Sequence, residues 1–311
     1  MFFAILPAIF FGWALGANDA ANVYGTAVTS GLVKFKVAVV SSAIFILIGA
    51  LLEGSRGLAT ISSVSTQTVF TAVVSTIAAA LSMTLMTFLG IPASSSQAMM
   101  GAILGIGILR GTVDWSVLIK VVICWIATPI GAAFGGFALY RIGAFFFRRI
   151  NTIQAQDITL KVGALFIGAY GSYALGANNV ANVTGPFAGI IPLEMAALVG
   201  GLSIGLGVMT FSKRVMYTVG KQIVPLEPFS AVIAVLAQAI TVWIFALIGV
   251  PVSTSQAIVG AVIGAGIARG SRNINYKVVR NIAVGWVQTP VIAGLVSLGL
   301  YLLIDSLARI I

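Results

Sequence analysis

Two short blocks place oxygen-rich side chains inside stretches that are otherwise apolar. Gly16 to Asn22 reads GANDAAN, and Gly176 to Asn182 reads GANNVAN. Asn18, Asp19, Asn22, Asn178, Asn179 and Asn182 offer carboxamide and carboxylate oxygens, the ligands that hard cations such as Na+ prefer. A carboxylate at the centre of a bilayer costs about 2.5–3.5 kcal/mol on insertion scales, and neither block contains Lys or Arg. Asp19 is therefore expected to be balanced by a bound cation or to carry a proton. Hydrogen bonding between helices would account for the Asn residues, but it accounts poorly for Asp19. Asn18, Asp19, Asn178 and Asn179 are the candidate cation ligands. The glycines and the Asn/Asp side chains, which compete with helical hydrogen bonds, predict a helix broken at each block, with freed carbonyls lining a cavity.

A second pair of motifs suits an anion. ASSSQ (Ala93 to Gln97) and VSTSQ (Val252 to Gln256) each follow a Gly-x-Pro and precede a run of small and apolar residues. Ser94 with Gln97, and Ser253 with Gln256, have capping-box spacing at a helix N-terminus. A helix start leaves four N–H groups unpaired and carries about half a positive charge, a ready anion site. Hydroxyls of Ser95, Ser96, Thr254 and Ser255 add donors. Ordinary caps at the water interface would explain a single copy, but polar groups repeated in so apolar a chain point to function. Asn22, Ser95, Ser96, Gln97, Asn182, Thr254, Ser255 and Gln256 are the candidate anion-binding residues.

The elements that must position these groups are membrane helices. The 311 residues are 59% hydrophobic and 8% charged, against about 25% charged in a soluble domain. A helix crosses a ~30 Å hydrocarbon core with about 20 apolar residues, so the chain is a polytopic, all-α membrane protein. Its net charge of +10 belongs to cytoplasmic loops. No basic stretch interleaved with aromatics suggests nucleic acid. Cys124 is the only cysteine and His is absent, which excludes a disulfide within the chain, a Cys/His metal centre and a histidine base. The first apolar run lacks a basic leader and reads as a mature first helix.

The chain is written twice. GANDAANVYG matches GANNVANVTG at an offset of 160 with 7 of 10 residues identical. Gly90 to Gly111 matches Gly249 to Gly270 at an offset of 159 with 13 of 22 identical. Trp125, Thr128 and Pro129 match Trp286, Thr289 and Pro290. The expected organisation is a first repeat over 1–147, a cytoplasmic linker over 148–161 and a second repeat over 162–311. In half one the spans read about 3–30, 36–52, 68–90, 94–109 and 115–147. The two segments meeting at Pro92 form a re-entrant tip or a surface loop, and 115–147 is one kinked helix or two shorter ones. After the first span, Lys34 and Lys36 align with Glu194 and Ala196; after the second the bias reverses, with Glu53 and Arg56 in half one and Lys213, Arg214 and Lys221 in half two. With positive loops inside, equivalent loops lie on opposite sides. The repeats are thus expected to be inverted, with both termini outside and an odd number of crossings per half, an architecture of secondary transporters with a midmembrane site.

The GANDAAN and GANNVAN blocks, with PASSSQ and PVSTSQ, resemble the duplicated signatures of the inorganic phosphate transporter family, in the right order and across both halves. The resemblance implies phosphate uptake coupled to Na+ or H+ at the cell membrane, an inverted-repeat fold with re-entrant hairpins, and a homodimer. By position, Asp19, Asn22, Asn179 and Asn182 fall on its signature polar residues, and Ser95, Ser96, Thr254 and Ser255 on its hairpin residues. Two features depart from it. The family usually has Asp at both signature blocks, where this chain has Asn179, and many members have His where this chain has Gln97 and Gln256. The first bears on the number of coupled cations and the second removes a route for protons. The long loop that some eukaryotic members carry between the halves is absent, as in a compact prokaryotic member.

Sulfate is the sharpest rival substrate, because some relatives of the family carry it. Hydrogen phosphate keeps an O–H that a carboxylate can accept, and a site built for that proton rejects an anion lacking it. A channel can also use helix starts and carbonyls, but paired inverted motifs favour alternating access. No nucleophile–base pair supports an enzyme.

Overall fold

The computed structural model describes residues 2–88, 93–222, 227–271 and 276–310. Among the described residues ten α-helices run in order: α1 Leu6–Thr29, α2 Phe35–Val64, α3 Val69–Phe88, α4 Ser95–Arg110, α5 Trp115–Phe147, α6 Ile153–Thr184, α7 Leu193–Gln222, α8 Pro228–Ile248, α9 Thr254–Arg269 and α10 Tyr276–Ile310. Eight of them are long and apolar enough to cross a membrane, and α4 and α9 are not. At 16 residues each, these two reach about 24 Å. Exposed residues such as Phe134 on α5 and Val287 on α10 give the bundle an apolar exterior fit for lipid.

The polar blocks do not break their helices. α1 runs through GANDAAN and α6 through GANNVAN without interruption, which corrects the expectation of broken helices. Gly16 and Gly176 are there for close approach. A Cβ at Gly16 would run into the Ile204 carbonyl of α7, and one at Gly176 into the Ile46 carbonyl of α2. Small residues let membrane helices touch backbone to backbone, and that packing holds the segments helical. Pro129 and Pro290 likewise sit inside single helices, α5 and α10.

Each half packs mainly on the other. α1 lies on α7 and α2 on α6, while α5 lies on α9 and α10 on α4. The contacts come in matched pairs: Gly101 abuts Pro290 of α10, and Gly260 abuts Pro129 of α5. α2 and α6 run in the same direction, since Ser42 meets Ser172, Ile46 meets Gly176, Gly57 meets Ala181 and Ile61 meets Gly185. α7 opposes α2, with Ala50 on Gly201 and Ala43 on Gly205.

Two expectations about connections change. Residues 153–161, expected as linker, are the first turns of α6. Thr152 caps that helix by accepting from Ala155 N at 3.2 Å, and Lys161 pairs with Asp157 one turn away. Glu53 and Arg56 lie inside α2, and Lys213, Arg214 and Lys221 inside α7, so they are not loop charges. The helix persists past the apolar run because nothing in EGSRGLATISSV (Glu53 to Val64) stops it before Ser65 turns extended.

The second hairpin, α8 and α9, turns at Gly249, whose φ of +81° suits glycine alone. Its tip is enclosed by protein: Val250, Val252 and Ser253 are buried inside the bundle. Pro92, the expected tip of the first hairpin, lies outside the described residues, but Ala93 and Ser94 beside it are buried too.

Candidate functional site

α4 and α9 begin where the sequence places them. Ser94 Oγ accepts Gln97 N at 3.4 Å, and Ser253 Oγ accepts Gln256 N at 3.2 Å. Each cap fixes a first turn whose N–H groups at Ser95 and Ser96, or Thr254 and Ser255, have no acceptor within their own helix. The two tips touch, because Ser96 Oγ donates to the Val252 carbonyl at 2.8 Å.

Asp19 stands where both helix starts meet the middle of α1. It is 3% exposed, which removes bulk water as a partner. Its Oδ2 accepts from Ser95 Oγ at 3.2 Å and from Asn179 Nδ2 at 3.1 Å. The Thr254 hydroxyl lies close by. Every protein group so engaged is neutral. Lys161 pairs with Asp157 and Arg269 with Glu227, and neither pair involves Asp19. No group of three or more His, Cys, Asp or Glu gathers among the described residues. A cation here would therefore be held by one carboxylate with hydroxyl and carboxamide oxygens.

The structure brings together Asp19, Ser95, Ser96, Asn179, Asn182 and Thr254. Asn182 Nδ2 links the set by donating to Ser96 Oγ at 2.9 Å and to Asn179 Oδ1 at 3.1 Å. Asn178, expected as a cation ligand, has both ends of its carboxamide on the second hairpin. Its Nδ2 donates to the Val250 carbonyl at 3.4 Å, and its Oδ1 accepts Val252 N at 3.0 Å. Ser255 Oγ shares a hydrogen bond with Ser253 Oγ at 2.8 Å. Asn18 and Asn22 lie beside Asp19 on α1 and are half-buried.

Three acceptors stand ready in this region. Gln97 Oε1, Gln256 Oε1 and Asn182 Oδ1 are buried without a hydrogen-bond partner among the described residues. In a closed capping box the Gln side chain would reach back to the cap, and neither oxygen does so. A buried orphan acceptor costs about 1–3 kcal/mol; a cation, a water or the O–H of a protonated oxyanion would satisfy it.

Backbone groups of the second hairpin tip were not legible as site elements. The Val250, Pro251 and Val252 carbonyls accept from Asn178, Trp125 and Ser96. One signal did exist: Trp125 and Trp286 recur between the halves, and Trp125 Nε1 reaches Pro251 O at 3.3 Å.

Comparison with known proteins bears on the family and the fold. Residues 15–297 match the phosphate transporter family. The "putative phosphate permease" of Pyrococcus furiosus is 29% identical, covering 94% of this chain and 93% of that protein. The sulfate permease CysP of Bacillus subtilis is 31% identical, over 97% of this chain and 86% of its own length. The solved structure titled "The sodium-dependent phosphate transporter" superposes with a TM-score of 0.84 at 23% identity, covering 97% of this chain and 98% of that one.

Proposed function

The chain belongs to the phosphate transporter family, and on that premise we propose that it imports inorganic phosphate by symport with Na+, or alternatively H+. The observation that carries this reading is Asp19, buried with no cationic partner among the described residues, bonded by the Ser95 hydroxyl of the first hairpin and close to Thr254 of the second. The anion sits at the starts of α4 and α9, and the cation sits at Asp19. Ser95 and Thr254 couple the two. While Asp19 is bare, their hydroxyls donate to it; a cation neutralises the carboxylate and frees them for the anion. Cation binding thus raises anion affinity, and linkage makes the effect reciprocal.

Alternating access follows from inverted repeats, with the halves divided in the connection before α6. In support, α6 runs with α2, and a five-residue turn reverses the chain between α1 and α2. Both termini face the outside of the cell membrane, and the transporter works as a homodimer. Sulfate is the second reading, favoured by the similarity to a sulfate permease. Uptake of labelled phosphate into proteoliposomes under an imposed Na+ or pH gradient, with sulfate as competitor, tests both. Gradient-driven phosphate uptake that sulfate leaves intact is expected. Sulfate uptake without phosphate uptake selects the second reading, and channel-like conductance without accumulation contradicts both.

A further inference from the structure

Glu53 and Arg56 are ionisable residues inside a membrane-crossing helix that the transport site leaves unused. They stand one turn apart on α2 and grip α8 at two points one turn apart. Trp243 Nε1 donates to Glu53 Oε2 at 2.8 Å, and Arg56 Nη1 donates to the Leu247 carbonyl at 2.9 Å. Tyr173 of α6 lies close to Glu53. The Leu247 carbonyl is one of the last four of α8, which the helix itself cannot satisfy. The Gly249 and Val250 amides serve Ala246 and Phe245, and Leu247 is left to Arg56. A guanidinium there also meets the negative end of the helix dipole. Gly249, where the chain turns, packs against the backbone of Arg56. A few residues on, α9 begins at Thr254, close to Asp19.

The first hairpin carries no such acid. The paired contacts of Gly49 with Tyr173 and of Gly207 with Trp13 make Phe211 the structural counterpart of Glu53 on α7; it is exposed and packs on Trp13. Thr84 of α3 matches Trp243, and its hydroxyl bonds the Ala80 carbonyl of its own helix.

We propose that Glu53 and Arg56 are positioning residues that clasp the end of α8, and so fix the second hairpin tip and the start of α9 against Asp19. The role they serve rests on the transport reading, but the clasp itself is testable without transport. Single cysteines replace Val252 in the second tip or Ala93 beside the first, each in a Cys124→Ser background, and their reaction rates with N-ethylmaleimide are compared in proteoliposomes. Trp243→Phe keeps the ring and removes the donor to Glu53; Arg56→Ala removes the other grip; Arg56→Lys restores a donor. Trp243→Phe and Arg56→Ala are each expected to raise the rate at Val252→Cys about tenfold, the size of one hydrogen bond to a charged group. The rate at Ala93→Cys stays unchanged, and Arg56→Lys stays near the parent. An unchanged rate at Val252→Cys in Trp243→Phe overturns the clasp, whether or not Arg56→Ala folds. So does an equal rise at both cysteines, which marks general loosening. Absence of phosphate transport would count against the transport reading and leave the labelling result to stand by itself.

Discussion

GANDAAN and GANNVAN descend from one pattern, yet they do different work. In α6 the three carboxamides are buried and bonded: Asn178 holds the second hairpin, Asn179 donates to Asp19, and Asn182 ties Ser96 to Asn179. In α1, Asp19 alone is fully buried, and Asn18 and Asn22 stay half-buried beside it. The two matching residues, Asp19 and Asn179, meet at 3.1 Å. Two carboxylates at that distance would need a shared proton or a cation between them. A carboxamide on one side turns repulsion into a hydrogen bond and leaves a single carboxylate in the cluster. The duplicated motif has separated into a framing copy and a charge-bearing copy.

The largest effect expected from breaking this division is at the charge itself. Asp19→Asn should lower gradient-driven phosphate uptake at least ~100-fold, about 2.7 kcal/mol of coupling, while detergent-solubilised protein keeps its elution profile and helical circular dichroism. Full uptake would remove the carboxylate from the mechanism. Next is Asn179→Asp, which rebuilds the symmetric pair. Its thermal unfolding at low Na+ should fall by about 2–4 kcal/mol, as for a buried charge left unpaired, and recover as Na+ rises. Insensitivity to Na+ would show that no cation enters between the pair.

The helix contacts give a third test. Gly176→Ala should destabilise the bundle by about 1–3 kcal/mol through overpacking on Ile46. A variant of parental stability with altered transport would instead make Gly176 a hinge. The smallest effect separates the framing copy from the other: Asn178→Ala should cost about 1–2 kcal/mol in thermal stability for two lost hydrogen bonds. Asn18→Ala should cost under ~0.5 kcal/mol, as at sites making no such bond. Equal costs would erase the distinction between the copies.

Much of this was legible from residue types. Capping spacing located the starts of α4 and α9 to the residue, and the apolar composition with one uncompensated Asp pointed to the buried polar cluster around it. The continuity of α1 and α6 was not legible. Gly16 and Gly176 look like helix breakers in one dimension, and their reason, the carbonyls of Ile204 and Ile46, lies on helices far along the chain. The place of Glu53 and Arg56 was obscured for a related reason. Charges after an apolar run read as a loop, whereas Trp243, Tyr173 and the Leu247 carbonyl give them partners within the bundle. Tertiary partners decided both cases, and local patterns carry no trace of them.

The claim that cation and anion meet at Asp19 is tested most directly by phosphate binding to purified protein, measured by calorimetry with and without Na+, for the wild type and Asp19→Asn. The wild type should bind phosphate at least ~10-fold more tightly in Na+, within the usual range of coupling between sites, and Asp19→Asn should show the same affinity in both conditions. A variant whose phosphate affinity still rises with Na+ as in the wild type would place the cation elsewhere and contradict the account.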